Sequence, residues 1–308
     1  MILKKLDIHA HVLFEKEYPC MGHGLEMGLT CEELRAMYDA IGVERGVALP
    51  IVSPEHMSDQ YSNAAARMCC EQFPSTIGWW FCNIDPRWLS NSPEADLSIP
   101  LKYYQSRGAK GIGEFTANLP VDNPMMQNVF HHAEQCGLPV LFHVGQQGDD
   151  YGIVDGLGLH KIEATLRRFP KLKLIGHSHK WWSEISGDCS WENRAGNPKG
   201  SVVPGGRVVE LMRSYPNMYA DLSAGSGENA IMRDPTFGYR FLEEFQDKLF
   251  FGVDYCSIKN YRVLSAFLDE GVENGRISQR AYNKICRENL LALIGDCLLY
   301  TSDAADEL

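Results

Sequence analysis

Short apolar runs rich in β-branched and aromatic residues recur along the chain, and each is followed by a stretch whose apolar positions return near a 3.6-residue period. The runs predict strands over 3–11, 45–51, 76–85, 108–115, 138–144, 171–177, 217–223 and 248–254. The periodic stretches predict helices over Cys31–Ile41, Asp59–Gln72, Pro93–Arg107, Pro124–Cys136, Leu159–Phe169, Val202–Ser214, Pro235–Gln246 and Lys259–Gly271. A further helical pattern, Ser278–Ile294, follows the last strand. Thr30 with Glu33 and Ser278 with Ala281 offer cap oxygens at helix starts, and Pro93 and Pro124 suit a first helical turn. Gly108, Gly137 and Gly271 stand where helices should stop.

Eight alternations of strand and helix imply a parallel sheet with helices packed outside it. A chain of 308 residues fits one large domain, and a closed (β/α)8 TIM barrel with an extra C-terminal helix is the expected architecture. Two connections exceed ordinary strand-to-helix loops: Val12–Leu29 after the first strand and His179–Gly200 after the sixth. Long loops at that end of a barrel line or cover the active site. The domain is taken as residues 1–296. The remainder, 297–308, breaks the preceding helical period, and Cys297–Glu307 resembles the translation of a transposon-end adaptor used to prepare sequencing libraries, so it is set aside as non-native.

Composition narrows the partners. Hydrophobic residues at 44% and charged residues at 22% allow a full core. A formal charge of -11 with no run of Lys or Arg argues against nucleic acid and membrane surfaces, and for a small-molecule substrate. Without the tail's Asp303, Asp306 and Glu307 the charge is still -8, which is -11 less three negative charges. No stretch has the apolar length of a membrane span and the first residues lack a signal-peptide pattern, so a cytoplasmic location is expected. Ten cysteines lie scattered through strands and helices without a C-x-x-C pair, which reads as reduced, buried thiols.

Candidate chemistry sits at the C-terminal ends of otherwise apolar strands, and in a (β/α)8 barrel those ends meet at one mouth. His9 and His11 are two apart and so share a strand face, although an H-x-H pair alone is as readily solvent-facing as metal-binding. His143 ends the apolar run Leu138–Phe142 and, taken singly, reads as a core histidine. Asp254 ends Leu249–Val253; three residues ahead of the segment beginning near Ser257 it is a poor helix cap, which shifts weight toward function. Together the four form a set of three imidazoles and one carboxylate, suited to one divalent ion: zinc first, then manganese, iron or nickel.

The motifs HAH at the first strand, FHVG at the fifth, IGHSH at the sixth and FGVDY at the eighth resemble those of the amidohydrolase-related superfamily, in the branch containing aminocarboxymuconate semialdehyde decarboxylase. The resemblance spans about residues 3–295. It implies a metal on His9, His11, His143 and Asp254, with His177 activating water or polarising substrate without binding the ion tightly. Asp254 would double as proton acceptor. The chemistry is coherent, because zinc lowers the pKa of water toward about 7 and a neighbouring imidazole or carboxylate can then take the proton. Binuclear relatives keep a bridging group at the fourth strand, where Glu114 stands. Glu114 is read either as ligand to a second ion or, by preference, as a group that orients ligands or faces substrate. Lys110 shares its face but lies about 13 Å deeper along the strand. His179 is either a second-site ligand or, by preference, the first loop residue. Asp221 and Asp85 end strands and either orient ligands and substrate or cap loops. Lys180, Trp181 and Trp182 could close over a substrate.

The expected reaction is hydrolysis of an amide, lactone or ester of a small molecule, acidic ones included. Its rival is non-oxidative decarboxylation of an aromatic or unsaturated acid, which calls for an arginine near the ion; the sequence offers only the loop candidates Arg194, Arg207 and Arg233. A non-catalytic metal-binding protein is a third reading, and the intact donor set argues against it. Pairing into a homo-oligomer through the outer helices is a further expectation carried by the resemblance.

Overall fold

A computed structural model describes residues 3–16, 28–56 and 61–296. The barrel strands are Lys5–Ala10, Val43–Ala48, Ile77–Trp80, Ile112–Phe115, Val140–Gly145, Leu174–His177, Met218–Asp221 and Leu249–Phe250. They pair in parallel and in sequence order, the first three as one sheet and the last five as another. At both seams the regular ladder gives way to individual backbone bonds. Between the third and fourth strands, Cys82 N donates to Gly111 O and Gly113 N to Cys82 O, both at 2.9 Å. Between the eighth and first, Ile8 N donates to Phe251 O and Asp254 N to His9 O, both at 3.1 Å. The ring of eight is thus continuous, and a two-residue strand, Ile153–Val154, pairs beside the fifth strand.

The expected helices form with shifted ends. Thr30 and Glu33 make the full capping box on Cys31–Ile41, Pro124 opens Pro124–Cys136 in its first turn, and Gly137 ends that helix with φ 67°. Pro93 instead sits in a turn, and its helix begins five residues later as Ser98–Ser106. Gly271 lies inside Leu264–Glu273, and the chain turns at Gly275, whose φ is 64°. One helix, Ala224–Met232, was not expected at all. The C-terminal helical run Gln279–Ile294 contains a π turn at Lys284–Glu288 and ends on Gly295. Its Leu290, Leu291 and Ile294 pack on Leu6, Ile8, Val47, Phe81, Leu141, Ile175 and Phe250, which fill the barrel interior.

The first long insertion, the start of the second helix at Asp59 and the segment 297–308 lie wholly or largely outside the described residues. The eight cysteines among the described residues are free thiols. Among those residues no helix is long and apolar enough to cross a membrane.

Candidate metal centre

The first strand positions its two histidines through an irregularity. Asp7 pairs opposite Gly46 and Ala10 opposite Ala48, so three steps of this strand run against two of its neighbour. Such an extra residue re-aims the side chains around it. Leu6 and Ile8 pack in the barrel interior, while Asp7 turns to the first helix, where Tyr38 Oη donates to its Oδ2 at 2.5 Å. His9 and His11 both face the mouth with their Nε2 atoms 3.0 Å apart. Asp7 Oδ1 accepts from His9 N at 2.8 Å and from Val253 N at 3.0 Å, so one buried carboxylate holds the backbone beside two candidate ligands.

Each ring has its outer nitrogen engaged. His9 Nδ1 donates to Asp221 Oδ2 at 2.7 Å, and His177 Nδ1 lies 3.1 Å from the same oxygen. Ser223 Oγ also donates to it at 2.7 Å. His11 Nδ1 donates to Leu49 O at 3.0 Å. These bonds fix the tautomers and leave Nε2 of all three rings directed at the centre. Asp221 is therefore seen orienting two imidazoles, the use expected of a carboxylate behind metal-binding histidines.

Two carboxylates span the centre. Glu114 Oε2 lies 3.2 Å from His11 Nε2 and 3.6 Å from His9 Nε2, while its Oε1 accepts from His143 Nδ1 at 2.8 Å and lies 3.8 Å from His177 Nε2. Asp254 Oδ1 is 3.7 Å from His9 Nε2 and from His11 Nε2, and Oδ2 is 3.7 Å from His177 Nε2. Three groups of donor atoms each lie within 4.8 Å of one another: His9, His11 and Asp254 on one side, Glu114, His143 and His177 on the other, and His9, His177 and Asp221 behind them, where Asp221 meets the outer nitrogens. His143 therefore groups with Glu114, not with the other three residues of the sequence-derived set. His179 joins none of the three; it opens the short helix His179–Trp182 and is exposed on the wall of the mouth.

Electrostatics show what the centre calls for. Burial disfavours charge on His9, yet Asp254 and Asp221 beside it push its imidazole well above the usual range. Burial likewise opposes ionisation of Glu114, but hydrogen bonds from His11, His143 and His9 hold it well below a normal carboxylate. Asp254 is lowered the same way, against burial, by His9, His11 and His177. Among the described residues no Lys or Arg pairs with Glu114, Asp221 or Asp254. The acids thus draw positive charge onto the His9 imidazole, which burial alone would keep neutral. A divalent cation supplies that charge and leaves the rings neutral as ligands, so this donor set fits one.

Other expected residues have structural duties. Trp181 and Trp182 are buried, Trp182 Nε1 donating to Asp221 O at 2.9 Å, so they brace the centre from behind and do not cover it. A Cβ on Gly176 would meet the Trp181 ring at 2.5 Å, which explains the glycine in the sixth strand. Lys180 pairs with Asp149 at 2.9 Å. Asp85 binds Arg87, with Arg87 Nε donating to its Oδ1 at 2.7 Å. Arg194 is buried on Glu184 and the carbonyls of Asp155 and Gly156, and Arg207 is spent on Glu163, Glu210 and Gly158 O. Sequence reasoning passed over Asp7 and Ser223; Asp7 stands two residues ahead of the HAH motif.

The barrel, with histidines and carboxylates gathered at one mouth, places the chain in the class of TIM barrels. No protein-family model matches the chain, and no curated protein matches it in sequence. Solved structures do share the fold. The 2,6-dihydroxybenzoate decarboxylase from Rhizobium superposes with a TM-score of 0.60 at 14% identity, over 96% of this chain and 99% of that one. A dihydroxybenzoic acid decarboxylase from Polaromonas, with bound manganese and the inhibitor 2-nitroresorcinol, gives 0.59 at 15% identity, over 96% and 97%. An amidohydrolase from Burkholderia multivorans gives 0.58 at 12%, over 95% and 99%. The fold expected from the motifs is the fold observed, and it is shared by enzymes of both reaction types.

Proposed function

We propose that this protein is a divalent-metal-dependent hydrolase of small amides, lactones or esters. The observation that carries the proposal is the pairing of two carboxylates with two sets of donors: Glu114 and Asp254 each turn one oxygen toward His9 and His11 and the other toward His177. His9, His11 and Asp254 would hold one ion; His143, His177 and Glu114 would hold a second, with zinc or manganese suited to both. Bound there, such ions supply Lewis acidity toward a substrate carbonyl and acidify water. Asp254, with an oxygen facing either set, accepts the proton from the attacking water and passes it to the leaving group. Asp221 and Ser223 keep the His9 and His177 rings turned inward.

Hydrolysis is preferred to decarboxylation because Arg194 and Arg207 are committed to partners elsewhere, Arg233, whose Nε and Nη2 are buried without a hydrogen-bond partner, is not among the residues lining the wall of the mouth, and Lys180, the cation on that wall, is paired with Asp149. A substrate carboxylate would find no free guanidinium among the residues lining that wall.

Metal analysis of the purified protein tests the centre. Two equivalents per chain are expected, falling to about one in His143→Ala and lost from the first set in Asp254→Ala; full retention in both variants sinks the assignment. Panels of esters, lactones and amides, run beside aromatic acids assayed for carbon dioxide, test the reaction. Carbon dioxide release without hydrolysis would replace the hydrolase reading with its rival.

A further inference from the structure

The mouth opens into a cavity of about 310 Å³ whose wall includes His143, Asp149, Tyr151, His179, Lys180 and Ala195. The tyrosine ring lies against His143, with centroids 4.7 Å apart and planes tilted by 50°. We propose that Tyr151 is a further catalytic residue, its hydroxyl donating a hydrogen bond to the substrate oxygen that becomes negative during hydrolysis. The inference rests on the metal-hydrolase reading above and goes beyond it by assigning the group that faces the substrate from the side of the fifth strand.

Its setting is rigid. Val144 and Gly145 of the fifth strand pair with Ile153 and Val154, so the chain returns along the strand it has just left. Gly152 N donates to Thr116 O at 2.7 Å, tying the same turn to the end of the fourth strand beyond Glu114. The approach is close enough to exclude a side chain: a Cβ on Gly152 would lie 2.9 Å from Gly145 N and 3.0 Å from His143 Cδ2. Tyr151 is thereby fixed next to His143, and a donor held before the reaction begins need not reorganise as charge develops.

Its chemistry suits the place. A transition-state oxyanion needs a donor, and Glu114 and Asp254, as carboxylates, are acceptors. A phenol is a neutral donor at pH 7, so it stabilises a negative oxygen without competing with metal ions for the neighbouring carboxylates.

Tyr151→Phe separates this role from mere packing, because phenylalanine keeps the ring against His143 and removes only the hydroxyl. Two readouts serve: turnover of the best substrate from the hydrolysis panel, and binding of acetohydroxamate to cobalt-loaded protein, followed in the visible spectrum. The variant should load cobalt fully, bind acetohydroxamate about tenfold more weakly, and lose about 10²-fold in kcat with KM changed only a few-fold. Wild-type affinity and turnover in the variant overturn the role of Tyr151 and leave the metal centre standing. Loss of cobalt from the variant also overturns it, assigning the residue to the support of His143. A wild-type protein that takes up no cobalt overturns the metal reading and this inference with it.

Discussion

The residue that best shows how this chain builds its centre is Asp7. Its carboxyl is fully buried, and burial pushes its pKa up to about 7 from 3.8, against the hydrogen bonds from Tyr38, His9 N and Val253 N that favour the charged form. An acid whose folded pKa is raised binds more protons in the folded state between those two values. Its contribution is therefore fully present below pH 3.8 and is lost as pH rises through about 7. Asp7→Asn keeps an acceptor for both backbone amides and does not titrate. Denaturant melts across pH 4–7 should show wild type losing stability relative to Asp7→Asn as pH rises; a constant gap between the two would refute the raised pKa. The sequence disclosed His143 and Asp254 because each ends an apolar run, His9 and His11 because their spacing puts them on one strand face, and His177 through the IGHSH motif. It did not disclose Asp7, since strict alternation points Asp7 the same way as the histidines. The extra residue that turns it outward to Tyr38 is a matter of pairing with Gly46 and Ala48, which no single strand's sequence records.

Among elements, the alternation of strands and helices was legible because period-2 and period-3.6 patterns are local. The ends were not, because they depend on neighbours. The eighth strand pairs only at Leu249 and Phe250 before the chain bends to Asp254, where φ is 50°. Ala224–Met232 was hidden by Gly225, Ser226 and Gly227, poor helix formers, of which Gly227 is required by contact. A Cβ on Gly227 would lie 2.2 Å from Leu222 O, so the helix needs glycine to pack this close to the seventh strand. Buried Glu228 from the same helix accepts from Val263 N at 2.7 Å and faces Arg262, which donates to Val253 O at 3.0 Å, bracing the stretch that carries Asp254. The long insertion after the sixth strand has its own anchor in Arg194, which is fully buried and binds Glu184 at 2.7 Å and two carbonyls at 3.0 Å. Arg194→Ala strands the Glu184 carboxylate and should cost about 3–5 kcal/mol. Urea unfolding measures that loss, and limited proteolysis should cut within 186–206 first. A variant as stable and as resistant as wild type would mean the insertion is held by other contacts.

For the molecule as a whole, the decisive feature is where the centre lies relative to the barrel's closure. His9 and Asp254 stand on opposite sides of the seam between the first and eighth strands, and Asp254 N donates to His9 O across it. That seam lacks the continuous ladder that joins the fifth strand to the sixth, so a cation shared by His9, His11 and Asp254 would staple the ring at one of its two irregular junctions. Binding to the native state alone stabilises by about 2.7 kcal/mol at a hundredfold excess over Kd. For a domain of this size that corresponds to a Tm shift of roughly 4–5 °C. Chelation should therefore lower Tm by several degrees, and added zinc or manganese should restore it. The loss should also be local: after chelation, hydrogen exchange should quicken at the amides of Ile8 and Asp254, which bond across the seam, more than at Leu141 and Ile175 in the paired strands opposite. Uniform acceleration would indicate that the metal stabilises the fold without closing the ring, and an unchanged Tm would show that the histidines and carboxylates hold no ion that matters to the fold.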